Sequence, residues 1–227
     1  RWCRCRTQAW EVAVLGLIYL LQVSNAEMLR RAFGTDVPAA AGHGPPNLLT
    51  EMAFVLATRV HPVAMVVVGV WLGVLVLALL RGHRLPRWAL DAPGLWFALR
   101  LLLEFVTING LIFAASNPVS SAVLLGQIVI YLPFFVITWG WIFHRVDRVG
   151  RIAPGRVVLL GDADPNRAIT EFDYYHSSVT TLLNRTKPTI SGVSRRGRVL
   201  VLLHQVMLMA LYAVAFARIL QLTRAVV

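Results

Sequence analysis

The chain has 227 residues, 57% of them hydrophobic and only 15% charged, and its mean hydropathy is +0.66. A soluble domain carries about 25% charged residues, so a soluble globular domain, a disordered chain and a disulfide scaffold are excluded. An integral membrane protein remains, with room for roughly four or five spans of about 20 residues each. The net charge of +11 comes almost wholly from Arg, Lys187 being the only Lys. These cations sit in short loops between apolar runs, which points to membrane topology and not to nucleic acid. The excess of Arg over Lys goes with a GC-rich bacterial genome, so the bacterial inner membrane is the expected location. Cys3 and Cys5 are the only cysteines. They are too close for an unstrained disulfide and too few for a zinc site, and inert thiols are expected.

In chain order, residues 12–23 form an apolar run of 12 behind Trp10 and Glu11. This is short for a span and suits an interfacial or tilted, partial helix. The Arg-rich start, this run and Ser24-Asn25-Ala26 have the outline of a signal peptide; a retained helix is the expectation. Residues 26–46 read as a loop, because Asp36, Pro38, Gly42, Gly44, Pro45 and Pro46 interrupt any helix. Residues 47–59 have helical spacing, with Leu48, Leu49, Met52, Phe54, Val55 and Leu56 apolar. Residues 63–80 are 18 without a charge, a full span. Arg81, His83, Arg84, Pro86, Arg87 and Trp88 mark a basic, aromatic interface beyond it.

Residues 105–143 are 39 positions with no formal charge. One span cannot use so many and two can, with Ser116-Asn117-Pro118 as the turn. An antiparallel hairpin of residues 96–115 and 120–143 is predicted, with Trp139 and Trp141 at an interface. Arg100 and Glu104, four apart, share one helix face. An interfacial pair with Arg100 snorkelling is expected, with a buried proton or ion relay as the alternative.

Residues 144–198 are polar, and residues 199–217 follow as 19 uncharged positions before Arg218. Within the polar segment, residues 171–183 are too short to span, and Phe172, Tyr175, Val179, Leu182 and Leu183 are spaced for one helical face. An apolar helix of about 10 to 14 residues beside a full span suits a re-entrant or interfacial segment. Glu171 and Asp173 near its start, with Arg185 and Lys187 past its end, match a helix dipole. The expected fold is an all-α integral membrane protein with about four or five transmembrane helices and one re-entrant or interfacial pore-type helix. It divides into residues 1–60 (short apolar helix, loop, amphipathic helix), 61–144 (three transmembrane helices with the hairpin at 116–118) and 145–227 (polar loop, pore-type helix, last transmembrane helix).

Three stretches carry a resemblance: Phe172-Asp173-Tyr174-Tyr175-His176-Ser177-Ser178-Val179-Thr180-Thr181, then Gly197-Arg198, then the apolar helix ending in Ala217-Arg218. Together they resemble the pore module of bacterial potassium channels, in which an outer helix, a re-entrant pore helix, a filter loop and an inner helix follow one another. Trp139-Gly140-Trp141-Ile142-Phe143-His144-Arg145-Val146-Asp147 is similar to the end of the preceding helix in bacterial channel-like membrane proteins with degenerate filters. The resemblance covers residues 99–222 and implies a pore-type helix bearing Asp173, Tyr174, Tyr175, Ser177, Thr180 and Thr181.

The family filter, Thr-Val-Gly-Tyr-Gly, presents stacked carbonyls to the ion, and its glycines allow the backbone angles this needs. Here the corresponding stretch is Leu182-Leu183-Asn184-Arg185-Thr186-Lys187-Pro188, with no Gly, one Pro and two cations. In a fourfold pore, each Arg185 at about 8 Å would repel a monovalent cation by roughly 2 kcal/mol at an effective dielectric of 20. The filter region is degenerate, and potassium selectivity is not expected.

Other constellations are bland. Asp162 and Asp164 belong to a turn rich in Asp, Pro and Asn. His144, His176 and His204 lack ligand spacing. The hydroxyls of Ser177, Ser178, Thr180 and Thr181 are expected to bond back to the helix backbone. His204 and Gln205, in the last span, are expected to make intramembrane polar contacts like Arg100 and Glu104. No catalytic residue, metal site or cofactor is expected. Two function classes follow: a non-catalytic accessory or interaction subunit of a larger membrane transport complex, its partners the lipid bilayer and other membrane subunits, or a homotetrameric ion channel that is not potassium-selective.

Orientation separates them. Residues 145–198 carry ten of the 22 basic residues, and the loop of residues 81–87 adds three on the same side. The positive-inside rule places both in the cytoplasm, whereas a channel pore loop faces out. With Cys3→Ser and Cys5→Ser as background, a single cysteine at Ser191 should stay unlabelled by a membrane-impermeant thiol reagent in intact cells. Labelling would reverse the orientation.

Overall fold

A computed structural model of the chain describes residues 2–33, 55–113, 121–150, 157–160, 169–183 and 190–224. Helices carry nearly all of them: α1 (Trp2–Phe33), α2 (His61–Leu80), α3 (Arg87–Phe113), α4 (Ser121–Gly150), α5 (Glu171–Leu183) and α6 (Arg195–Arg224). A five-residue π-helical turn, Leu56–Val60, leads directly into α2. The departure from an all-helical chain, among the described residues, is a ladder of β1 (Val158–Leu160) and β2 (Ile190–Gly192), antiparallel with Val158 opposite Gly192 and Leu160 opposite Ile190.

Among the described residues, four stretches are long and apolar enough to cross a membrane: Thr7–Met28, Thr58–Leu80, Leu125–Asp147 and Arg195–Ala217. The first corrects the sequence expectation, which gave α1 a short apolar run and a loop from residue 26. The 32 residues of α1 span about 48 Å at 1.5 Å per residue. No Gly or Pro interrupts the chain between Gly16 and Gly34. Glu27 pairs with Arg30 and Arg31, each at 2.7 Å, contacts at helical spacing that carry the helix onward. α3 is 27 residues long, about 40 Å at 1.5 Å per residue, and bears Asp91, Arg100 and Glu104.

α2 stops where its chemistry dictates. Gly82 has φ +75°, a left-handed conformation that glycine adopts without steric cost. Its N–H donates to the Leu79 carbonyl and that of His83 to the Ala78 carbonyl, both at 2.9 Å. These are the paired bonds of a Schellman cap. The long charge-free stretch does supply two helices, α3 to Phe113 and α4 from Ser121; the expected turn at Ser116, Asn117 and Pro118 lies outside the described residues. Tyr131, ten residues into α4, donates its hydroxyl to the carbonyl of Leu101, twelve residues before the end of α3, at 2.9 Å. That is the register of an antiparallel pair.

The chain forms two compact units, Arg1–Phe134 with Val214–Val227, and Phe135–Ala213. In the first, α1 packs on α2 and α3, and α2 on α3, around Leu15, Ile18, Leu72, Phe97 and Leu101. In the second, α5 packs on both strands, and Phe135, Trp139, Phe143, Tyr174 and Ile190 are buried. Trp139 and Trp141, expected at an interface, are both buried. α4 does not end beside them but runs on to Gly150, so they lie in a helix interior that packing covers.

Gly197, part of the Gly-Arg pair noted in the sequence, has a structural reason. A Cβ there would overlap the Val157 carbonyl oxygen, next to β1. Gly73, by contrast, has open space around it. Gly197→Ala should lower stability by about 1 to 3 kcal/mol, the cost of overpacking, read as a lower melting temperature in detergent. Gly73→Ala should leave the melting temperature unchanged or slightly raised. Equal behaviour of the two variants would contradict the packing at β1.

Candidate functional site

In the first unit, three helices bring polar side chains together away from water. Arg100 and Glu104 of α3 are 4% and 7% exposed, and His61, Gln22 and Asn25 are equally enclosed. One Arg100 nitrogen, Nη2, donates to Glu104 Oε1 at 3.0 Å and lies 3.1 Å from His61 Nδ1. Asn25 of α1 donates from Nδ2 to Glu104 Oε2 at 3.0 Å, and Gln22 also lies against this carboxyl. A guanidinium has only donors, so His61 Nδ1 accepts and the imidazole proton sits on Nε2. Snorkelling of Arg100, expected from the sequence, does not occur. The reason is that its partners are Glu104 on its own helix and His61 of α2, 39 residues away, while Glu104 is held in turn by Asn25 of α1. Among the described residues, Arg100 Nε, His61 Nε2 and Asn25 Oδ1 are buried without a partner. The sequence offered no spacing signal for His61, Gln22 or Asn25.

In the second unit the organising group is Asp147, fully buried near the end of α4. Its Oδ1 accepts from the backbone N–H of Val157 at 3.2 Å and Val158 at 3.5 Å, and its Oδ2 accepts from the Tyr174 hydroxyl. One carboxylate thus joins α4, the start of β1 and α5. Beside it, His144 meets Tyr174 edge-on at 5.4 Å and Glu171 at 3.6 Å. Asp147 stands in the tryptophan-rich motif of the sequence, where nothing marked it out except being an acid at the end of an apolar run.

α5 begins and ends where the spacing in the sequence places it, at Glu171 and Leu183. Asp173 caps it: Oδ2 accepts from Thr170 N at 2.6 Å and Thr170 Oγ1 at 2.7 Å, the reach-back half of a capping box. Tyr175 lies over Gly140, where a Cβ would come 3.0 Å from the Tyr175 Cα, so this glycine lets the two helices approach. Thr180 Oγ1 donates to the His176 carbonyl at 3.0 Å, and Thr181 Oγ1 donates to that of Ser177 at 2.8 Å. These are the back-bonds expected of helical hydroxyls. Ser177 and Ser178 are buried, and Ser178 Oγ has no partner among the described residues.

Of the stretch 182–188, Leu182 and Leu183 end α5, and the Leu182 carbonyl accepts from the Tyr212 hydroxyl of α6. Asn184, Arg185, Thr186, Lys187 and Pro188 lie outside the described residues, as do Asp162 and Asp164. His204 is buried, but neither ring nitrogen finds the expected hydrogen bond among the described residues. Aromatic rings enclose it instead: Phe135 at 5.2 Å, Trp139 at 5.0 Å and Phe143 at 5.4 Å. Gln205 is half-buried.

No family model, no curated protein and no solved structure matches this chain.

The charged pair of the first unit makes a measurable statement. Removing one member of a buried, hydrogen-bonded pair strands the other, at about 3 to 5 kcal/mol, whereas replacing both by apolar residues costs far less. Arg100→Leu and Glu104→Leu should each lower the melting temperature in detergent sharply, and the double variant should recover most of the loss. Additive losses would show that the two side chains do not depend on each other.

Proposed function

We propose that the chain is a non-catalytic, multi-pass protein of the bacterial inner membrane that serves as an accessory or interaction subunit of a larger membrane transport assembly. Its pore-type helix, re-entrant or interfacial in the bilayer, is used as a packing element and not to conduct ions. The observation that carries this reading is the hydrogen bond from Tyr212 to the Leu182 carbonyl. In a conducting pore module, the negative C-terminal end of the pore helix is left to act on a cation. Here an orphan carbonyl of that end is occupied by a side chain of the following helix. The rest of α5 agrees: Tyr174 is held by Asp147, and Thr180 and Thr181 turn back on their own backbone. The filter stretch adds two cations and a proline and lacks glycine, so it offers no carbonyl cage.

Large apolar surface remains for partners or lipid. Val199, Leu202, Val206 and Met209 of α6 are all exposed, and the span they belong to is mostly uncovered.

The purified protein in liposomes should pass potassium no faster than sodium and should give no current above empty liposomes. Mild-detergent extraction from its native membrane should yield complexes containing other membrane polypeptides. A particle of four copies and nothing else, with ion flux, would establish the channel instead.

A further inference from the structure

We propose that the first unit carries a preformed site for one acyl chain of an anionic phospholipid, with the phosphate held at Arg84; this is independent of the subunit reading above. The site is a groove of about 620 Å³ along α2, continuing under the loop that follows it. Val66, Val70 and Val74 form one wall, and Trp71, Leu85 and Trp88 close the other side.

The groove is a fixed shape. Trp71 donates its indole N–H to the Ala89 carbonyl at 2.9 Å and meets Trp88 edge-on at 5.7 Å. The loop is pinned from α1, where Gln8 donates to the Leu85 carbonyl at 2.9 Å and accepts from its N–H at 3.3 Å. The Schellman cap at Gly82 sets the direction in which the loop leaves.

Three observations identify the occupant. First, the valines belong to a stretch long and apolar enough to span a membrane and are themselves exposed, so hydrocarbon is the medium they face. Second, from Val66 to Ala78 the helix rises about 18 Å, close to one leaflet of a hydrocarbon core about 30 Å thick. Third, the polarity changes at one end only. His83 and Arg84 line the mouth, with Arg81 and Arg87 flanking them in the chain and the exposed Trp88 beside them. An apolar slot ending in cations and an indole complements an acyl chain ending in a phosphate. An apolar helix of a partner would offer nothing to the exposed Arg84.

The test uses the full chain in mixed micelles holding equal amounts of phosphatidylglycerol and phosphatidylcholine of the same acyl composition, with retained lipids counted by native mass spectrometry. Phosphatidylglycerol should be retained preferentially, and Arg84→Gln should cut that preference about five-fold, the effect of one interfacial cation. Val70→Trp, which fills the slot with apolar bulk, should lower retention of both lipids. Val129→Trp, on exposed α4 surface outside the groove, should change neither; it controls for added bulk. Melting temperatures confirm that the variants fold, and Arg84→Gln alters only an exposed loop side chain. Equal retention of the two lipids, or Arg84→Gln and Val70→Trp behaving as the parent chain, would overturn the proposal. So would a dimer that Val70→Trp dissociates without changing the lipid count.

Discussion

A guanidinium and a carboxylate withdrawn from water together constrain everything around them. Each isolated ion would cost several kcal/mol in a low-dielectric interior, and only close mutual contact with further hydrogen bonds offsets that. Arg100 and Glu104 lie four apart on α3, so the helix itself sets their contact. The remaining valences must come from elsewhere, and they come from Asn25 on α1 and His61 at the head of α2. A slip of α1 by one residue would turn Asn25 away from the carboxylate. The apolar contacts of Leu15, Ile18 and Leu72 fix which faces meet, but such contacts tolerate sliding. The polar cluster supplies the register they lack.

The second unit repeats this logic with a single acid. Asp147 accepts two backbone N–H groups and a phenol, which lets the start of a short ladder sit against helices without stranding donors. Gly140 and Gly197 act at the same places by having no side chain: one admits Tyr175 and the other the Val157 carbonyl. Charge fixes a position and glycine permits the distance. Around them, His204 is held by aromatic rings, a contact in which the apolar faces of the imidazole count for more than its nitrogens.

What the sequence showed clearly depended on local information. α5 could be read to the residue, because Asp173 caps one end and the apolar face is complete within 13 positions. The second span and the division of residues 105–143 into two helices could be read as well, since both follow from length without charge. The end of α1 was placed too early, because the breakers that suggested a loop, from Asp36 to Pro46, all lie past Phe33 and nothing in residues 26–33 interrupts a helix. The burial of Arg100 was equally hidden: its neighbours in sequence look interfacial, and its neighbours in space are far along the chain. Trp139 and Trp141 fit an interface by composition and a core by position. The fold shows both of them covered by packing.

The channel-like pattern of the last third therefore separates into parts with different physical meaning. Tyr174 holds α5 beside α4, Thr180 and Thr181 turn back on the backbone of α5, and Gly197 admits the Val157 carbonyl, so the structure gives each of them an internal contact. None of these contacts requires an ion or a fourfold axis. Residues 184–188 are where conduction would need glycine and carbonyls, and there the chemistry is cationic. Under the proposed reading the framework can persist without the filter, because the contacts named above are made by other residues. The conflict over orientation disappears for the same reason. A conducting loop must face outward whatever its charge, but a packing helix carries no such obligation. The ten cations of residues 145–198 are then free to follow the positive-inside rule.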